Sequence, residues 1–381
     1  MAHLPPILNE HYWSVGVSRL DAVGSKLLRY EEYWRDRFHF LAARGYTLRP
    51  RYHPDWVPSW QSQPGRIPLM FEDFFETRSG HVMDATSQKD GRMVCIKRLT
   101  NNSPELEIAT FFSQPHLRSD PRNHCVPVLD SFRDEIDQTI SYMVMPFLRR
   151  MDNPPFETVG DVVDFADQVI EGLAFLHENH VAHRDCAPSN IFMDASPIFP
   201  RGFHPVIASK TPDFTTDAPY LSRSAAPVPV KYYLADFDLS TRIPAGAPRR
   251  VVGAYGADKE VPELSEEVPY DPFQTDVFIL GNVLRHQFHD KYFRLDFLRP
   301  LILTMTKRDP DDRPSAEGAL RQWKQIRKHI TAFQRICRLR GRDEGVVTAL
   351  VSDIISFFKV SFIIAGRLMR WSSDWIALIL A

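Results

Sequence analysis

Apolar positions change their spacing along the chain, and each change predicts a different element. Over 26–43, Leu27, Tyr30, Trp34, Phe38 and Leu41 recur at three and four residues, the period of an amphipathic helix, with Gly45 as its stop. From Pro68 onward the pattern reads as strands, at 70–75, 81–86 and 92–99, the last two joined by an Asp90-Gly91 turn. The stretch 105–114 is acidic at its start and apolar at Ile108, Phe111 and Phe112, which suits a helix beside the sheet. Two more strands, 125–132 and 140–145, flank the acidic link 134–137. Five strands and one helix make a small, mostly antiparallel lobe.

After Pro146 the pattern becomes helical. Pro154-Pro155 marks a loop, Thr158 and Asp161 a capping signal, and Val162, Phe165, Val169, Leu173 and Leu176 one helical face. The stretch 197–230 is an insertion rich in proline, with 199–203 packing locally and 211–226 polar and mobile, before a strand at 230–234. Residues 276–288 are apolar on nearly every side and belong in a core. Helices at 293–306 and 314–330 follow. The segment 346–381 is apolar but interrupted by Asp353, Lys359, Arg367 and Arg370, short of the roughly 18 uncharged residues of a clean span. An amphipathic helix packed on the domain and one lying on a membrane both stay open. The expected organisation is α+β: an N-terminal extension at 1–67, a small lobe at 68–145, a larger mainly helical lobe at 146–330, and an apolar helical tail at 331–381.

Composition narrows the class. With 44% apolar and 25% charged residues, the 381-residue chain reads as soluble and globular. A net charge of -2 argues against nucleic acid as a partner. Arg49 and Arg51 beside Trp56 and Trp60 therefore read as packing onto a neighbouring lobe. Cys95, Cys125, Cys186 and Cys337 form no CxxC pair, so no structural zinc is expected and free thiols in a reducing compartment are. Residues 1–10 lack a basic region followed by an apolar run, so the expected location is cytoplasmic or nuclear rather than secreted.

The chemistry concentrates at His183-Arg184-Asp185-Cys186-Ala187-Pro188-Ser189-Asn190, a loop between the helix ending near Leu176 and the short strand 191–193. The order is H-R-D-x-x-x-x-N, in which the Asp serves an attacking hydroxyl and the Asn a metal ion. A plain polar surface loop would make four agreements coincidental. Upstream, Val94-Cys95-Ile96-Lys97 puts an ammonium on a strand, a fixed point charge suited to a polyanion. Downstream stand Asp236-Phe237-Asp238, Val261-Pro262-Glu263, Asp276 with Gly281, and Arg313.

With these pieces placed, residues 68–330 resemble the eukaryotic protein kinases. Toward the N-terminus the chain resembles the kinase-like proteins of mushroom-forming fungi, through Tyr33-Trp34-Arg35-Asp36-Arg37, the stretch 44–52 and Trp56-Val57-Pro58-Ser59-Trp60. The resemblance implies a two-lobed fold and phosphoryl transfer from ATP, with Mg2+, to serine or threonine hydroxyls of a protein. It implies Asp185 as general base, Lys97 on the α and β phosphates, and Glu107, preferred over Glu105, as the partner of Lys97. Asn190 and Asp236 would hold metal, Gly80 and Val82 would cover the nucleotide, and Met145 and Pro146 would sit at the gatekeeper and hinge. Asp276 would brace the catalytic loop, and Arg313 would pair with Glu263. Three departures stand against this. Over 75–82 only Gly80 and Val82 meet the glycine-rich pattern, Asp238 replaces the glycine of D-F-G, and Ala187 replaces a lysine. They motivate the rival expectation of a pseudokinase that binds partners.

Overall fold

In the computed structural model, residues 24–63, 66–77, 79–356 and 358 are described; the readings at Arg78 and beyond 358 lie outside them. The chain divides into two compact units. One comprises residues up to 114 with 126–148 and 194–221, the other 115–125, 149–193 and 222 onward. The first is built on a sheet and the second is mainly helical, the α+β organisation expected.

The sheet has the order β1 (Tyr46–Thr47), β2 (Val82–Ser87), β3 (Met93–Thr100), β5 (Ile140–Pro146), β4 (Asp130–Arg133), antiparallel throughout. Gly91, at φ +70°, takes the left-handed position of the β2–β3 turn. One face carries Met83, Ala85, Val94, Ile96, Tyr142 and Val144, packed against Trp34, Phe40, Leu41, Leu48 and Tyr52 of the preceding segment. The extension is thus the cover of one sheet face. Its helix is two helices, α1 (Arg29–Arg35) and α2 (Phe38–Ala43), because the chain breaks at Arg37, whose guanidinium turns to the buried Asp134 carboxylate. The pair Glu31 and Arg51, 2.6 Å apart and shut off from solvent, ties α1 to the turn Pro50–Tyr52.

The expected strand at 70–75 does not form. Pro68–Met70 and Glu72–Phe74 are 3-10 turns. The Asp73 carboxylate accepts from Trp56 Nε1, Ser59 N and Ser59 Oγ, and these local bonds replace a ladder. The strand beside β2 comes instead from Tyr46–Thr47, which pair with Ser87 and Thr86.

The proline-rich insertion is ordered, contrary to the mobile reading. Ile198, Phe199, Phe203, Val206, Ile207 and Ala218 are buried. Thr211 Oγ1 bonds Asp213 and the Thr216 carbonyl, and Lys210 pairs with Asp217 at 2.7 Å. His204, fully buried, meets Glu72 Oε1 at 3.0 Å, a carboxylate that also pairs with Arg49. Burial alone would push the Glu72 carboxyl up; the bonds to His204 and Arg49 hold it below its ordinary value.

In the second unit, helix α4 (Val159–Glu178) starts at the Thr158–Asp161 capping box and buries the expected face. Helix α5 (Pro272–Leu284) is buried along nearly its whole length. The helix expected over 293–306 is shorter, α6 (Arg299–Met305), begun at Pro300 after a 3-10 turn. Helix α7 (Ala316–Lys328) is capped by Ser315 and buries Ala319, Leu320 and Trp323. No helix among the described residues is long and apolar enough to cross a membrane.

Candidate active site

Within the sheet unit, directly opposed residues of the ladder share a face. Val82 opposes Lys97, Asp84 opposes Cys95, and Cys95 opposes Met145, so these five share the face opposite Met83, Ile96 and Val144, where Arg49 also reaches Asp84. Lys97 Nζ donates to Glu105 Oε1 at 2.6 Å. Glu105 lies in the first turn of α3 (Pro104–Phe112) and is 1% exposed, whereas Glu107 is exposed to solvent. The partner of Lys97 is therefore Glu105, and the preference for Glu107 is corrected. Two residues apart on a helix means about 200° of rotation, so one carboxylate faces the sheet and the other does not. Burial pushes the Cys95 thiol up to about 12, so it stays protonated beside Lys97.

The segment in the place of a glycine-rich loop is fastened by the extension. Thr77 N donates to Tyr52 Oη at 2.9 Å, Thr77 Oγ1 to the Val82 carbonyl at 3.2 Å, and Trp34 Nε1 to the Gly80 carbonyl at 3.3 Å. A Cβ on Gly80 would stand 3.1 Å from Tyr30 Cβ, so its missing side chain serves close approach to α1. Among the described residues the segment 68–77 contributes no strand to pair with β2, whose free edge is taken by β1, and a glycine-rich hairpin is absent. Arg49 adds a charge that the sequence reading left as packing. It donates to Asp84 Oδ2 at 2.8 Å, Glu72 Oε1 at 3.0 Å and the Phe75 carbonyl at 2.9 Å.

Within the helical unit, the loop after β7 (Val181–Ala182) is clamped from below. Asp276 on α5 accepts from His183 N at 2.7 Å and Arg184 N at 2.6 Å, and His177 Nε2 lies 2.9 Å away. Asn190 Nδ2 donates to the Asp185 carbonyl at 2.9 Å and to its Oδ2 at 2.8 Å. Burial holds the His183 imidazole below its ordinary value and so neutral. Its Nδ1 accepts from Asp185 N and its Nε2–H donates to the Ala235 carbonyl at 3.2 Å. Ala235 N in turn donates to the Asn190 carbonyl at 3.0 Å. These bonds bring Asp185, Asn190 and Asp236 together. Phe237 is buried against the His183 ring, with centroids 5.3 Å apart. Asp236 itself adopts φ +67°; Asp238 does not take a positive φ, so its side chain meets no left-handed strain. Ala187 is buried and supplies no charge.

Two contacts had no signal in the spacing of residues. Ala257 N donates to Asp185 Oδ1 at 2.8 Å, made possible by Gly256 at φ +97°, where a Cβ would lie 3.2 Å from the Arg184 carbonyl. Arg184 donates to the carbonyls of Leu239 and Val252 and to the hydroxyls of Thr241 and Tyr270. Neutral acceptors thus occupy the guanidinium that could otherwise order this segment through a phosphate. Glu263 receives a forked pair from Arg313, at 2.6 and 2.9 Å, as expected.

Asn190 and Asp236 suit a magnesium ion in donor chemistry. Both Asn190 bonds to Asp185 use the amide nitrogen, which leaves Oδ1 as a hard oxygen donor. Among the described residues no three His, Cys, Asp or Glu gather into a metal group. A comparison with protein families matches residues 76–293 to the protein kinase domain, which begins just past the extension and includes Lys97, Asp185, Asn190, Asp236 and Asp276. The match spans more than half of the sequence, and the chain belongs to the protein kinase domain family.

Proposed function

We propose that the protein transfers the γ-phosphoryl group of ATP to serine or threonine hydroxyls of a protein substrate. The observation that carries this reading is the Lys97–Glu105 pair at 2.6 Å, since transfer in this family requires that ion pair to be made. Lys97 holds the α and β phosphates. Val82 and Met145, on the same sheet face, supply apolar contact for the base. Asp185 orients the attacking hydroxyl and accepts its proton as the new O–P bond forms and the bond to ADP breaks. Asn190 and Asp236 would hold magnesium, which neutralises phosphate charge. Arg313 and Glu263 support the segment that receives the peptide, which favours a protein over a small-molecule acceptor. The four cysteines are free, in keeping with a cytoplasmic or nuclear location.

A second reading has its own observation. The fastened 77–82 segment provides no glycine-rich cradle, and Ala257 N already occupies one Asp185 oxygen. A protein-binding module on the kinase fold accounts for both. Radiolabel transfer from ATP by the wild type and by Asp185→Asn separates the two. Transfer that falls by at least about a thousandfold in the variant supports the enzyme. No transfer by the wild type, or equal labelling by both, supports the binding module.

A further inference from the structure

Residues 346–356 form a helix, α8, whose polarity is reversed relative to that of α7. Its inward side is small or polar. Ala349 is buried, Asp353 Oδ1 accepts from Arg338 Nε at 2.8 Å, and Arg338 also reaches the Ala349 carbonyl. Ser352 and Ser356 line a cavity of about 300 Å³ with Thr158, Ser222 and Ser224. Its outward side carries Val346, Val347, Leu350, Val351 and Ile354, with Ile355 at its edge where it also lines that cavity, each more than half exposed. At 100° per residue these six fall within one half of the helix circumference. Helix α7, by contrast, turns Ala319, Leu320 and Trp323 inward and its charges outward.

We propose that this outward face is a membrane-surface contact, α8 lying in the plane of an anionic lipid leaflet. Three observations select lipid as the occupant. Residues 359–381 are apolar at 15 of 23 positions, so covering the stripe with them would only move exposed apolar surface outward. That stretch carries Lys359, Arg367 and Arg370 against Asp374, a net +2 in a chain of net -2, so the residues that follow the apolar stripe in sequence are basic on balance. It also holds Trp371 and Trp375, side chains suited to the headgroup boundary. The Arg338–Asp353 pair fixes the polar side of α8 to the folded unit, which sets the helix flat on a surface rather than across one.

The test is flotation of the full chain with vesicles of phosphatidylcholine alone and with about 30% phosphatidylserine added. The variant is Val347→Asp/Leu350→Asp/Ile354→Asp, placed on exposed positions, with its thermal midpoint measured in parallel. The wild type is expected to float with the anionic vesicles, less so as salt rises. The triple variant is expected to float at least about tenfold less at an unchanged midpoint. Wild type that stays at the bottom with both vesicles overturns the proposal, as does a variant that floats equally well. A wild-type dimer that the variant loses, with no flotation by either, assigns the face to a second copy and overturns it too.

Discussion

At Lys97, helix phase decides which carboxylate matters. Glu105 and Glu107 both lie within reach in sequence, and the pairing turns on the angle at which α3 leaves Pro104. Glu105→Gln should lower kcat/KM at least about tenfold, while Glu107→Gln should stay within about twofold, measured by steady-state transfer. His183 gives a pH prediction. Its folded value lies below the ordinary 6.5, so below that pH the unfolded chain binds a proton the folded chain does not. Stability is therefore full above 6.5 and falls as the pH drops beneath it. The thermal midpoint should fall between about pH 7.5 and pH 5.5, and His183→Gln should show a smaller fall. The residues of this loop were legible because chemistry holds their types and spacing together. Glu105 and the Ala257 cap were not, because they depend on which way a short helix and a loop turn.

At the scale of elements, some runs read true and others did not. Helix α4 carries its capping box and five in-phase apolar residues, and it forms where expected. The stretch 70–75 resembles a strand in composition, but Asp73 captures three nearby donors and folds it into turns. The extension depends on a similar polar anchor. Arg51→Met would leave the Glu31 carboxylate buried without its partner and should cost about 3–5 kcal/mol in urea unfolding. Adding Glu31→Gln should recover part of that loss, because the stranded charge is then removed. The insertion reads as mobile from its prolines and polar residues. Among its anchors is a buried histidine on a distant glutamate, which no local pattern announces. Limited trypsin digestion should leave Arg201 and Lys210 intact in the native protein, and His204→Ala should expose them to early cleavage.

Across the whole molecule, the class of fold and the candidate residues of the H-R-D loop were legible, and the pairings between distant segments were not. The sequence places strands, helices and the H-R-D loop in the right order. It does not say that Tyr46–Thr47 would flank β2, or that Tyr52 and Trp34 would fasten the segment leading into it. Those pairings join residues 25 to 46 positions apart, and they bear on how a nucleotide is held. Under the proposed function, without a glycine-rich hairpin, phosphate affinity would rest on Lys97 with Glu105 and on magnesium at Asn190 and Asp236. Calorimetric titration of ATP, with and without magnesium, tests this most directly. The account predicts binding that requires magnesium and disappears in both Lys97→Met and Asp236→Asn. Absence of binding by the wild type at millimolar ATP, or binding that survives both substitutions, would contradict it.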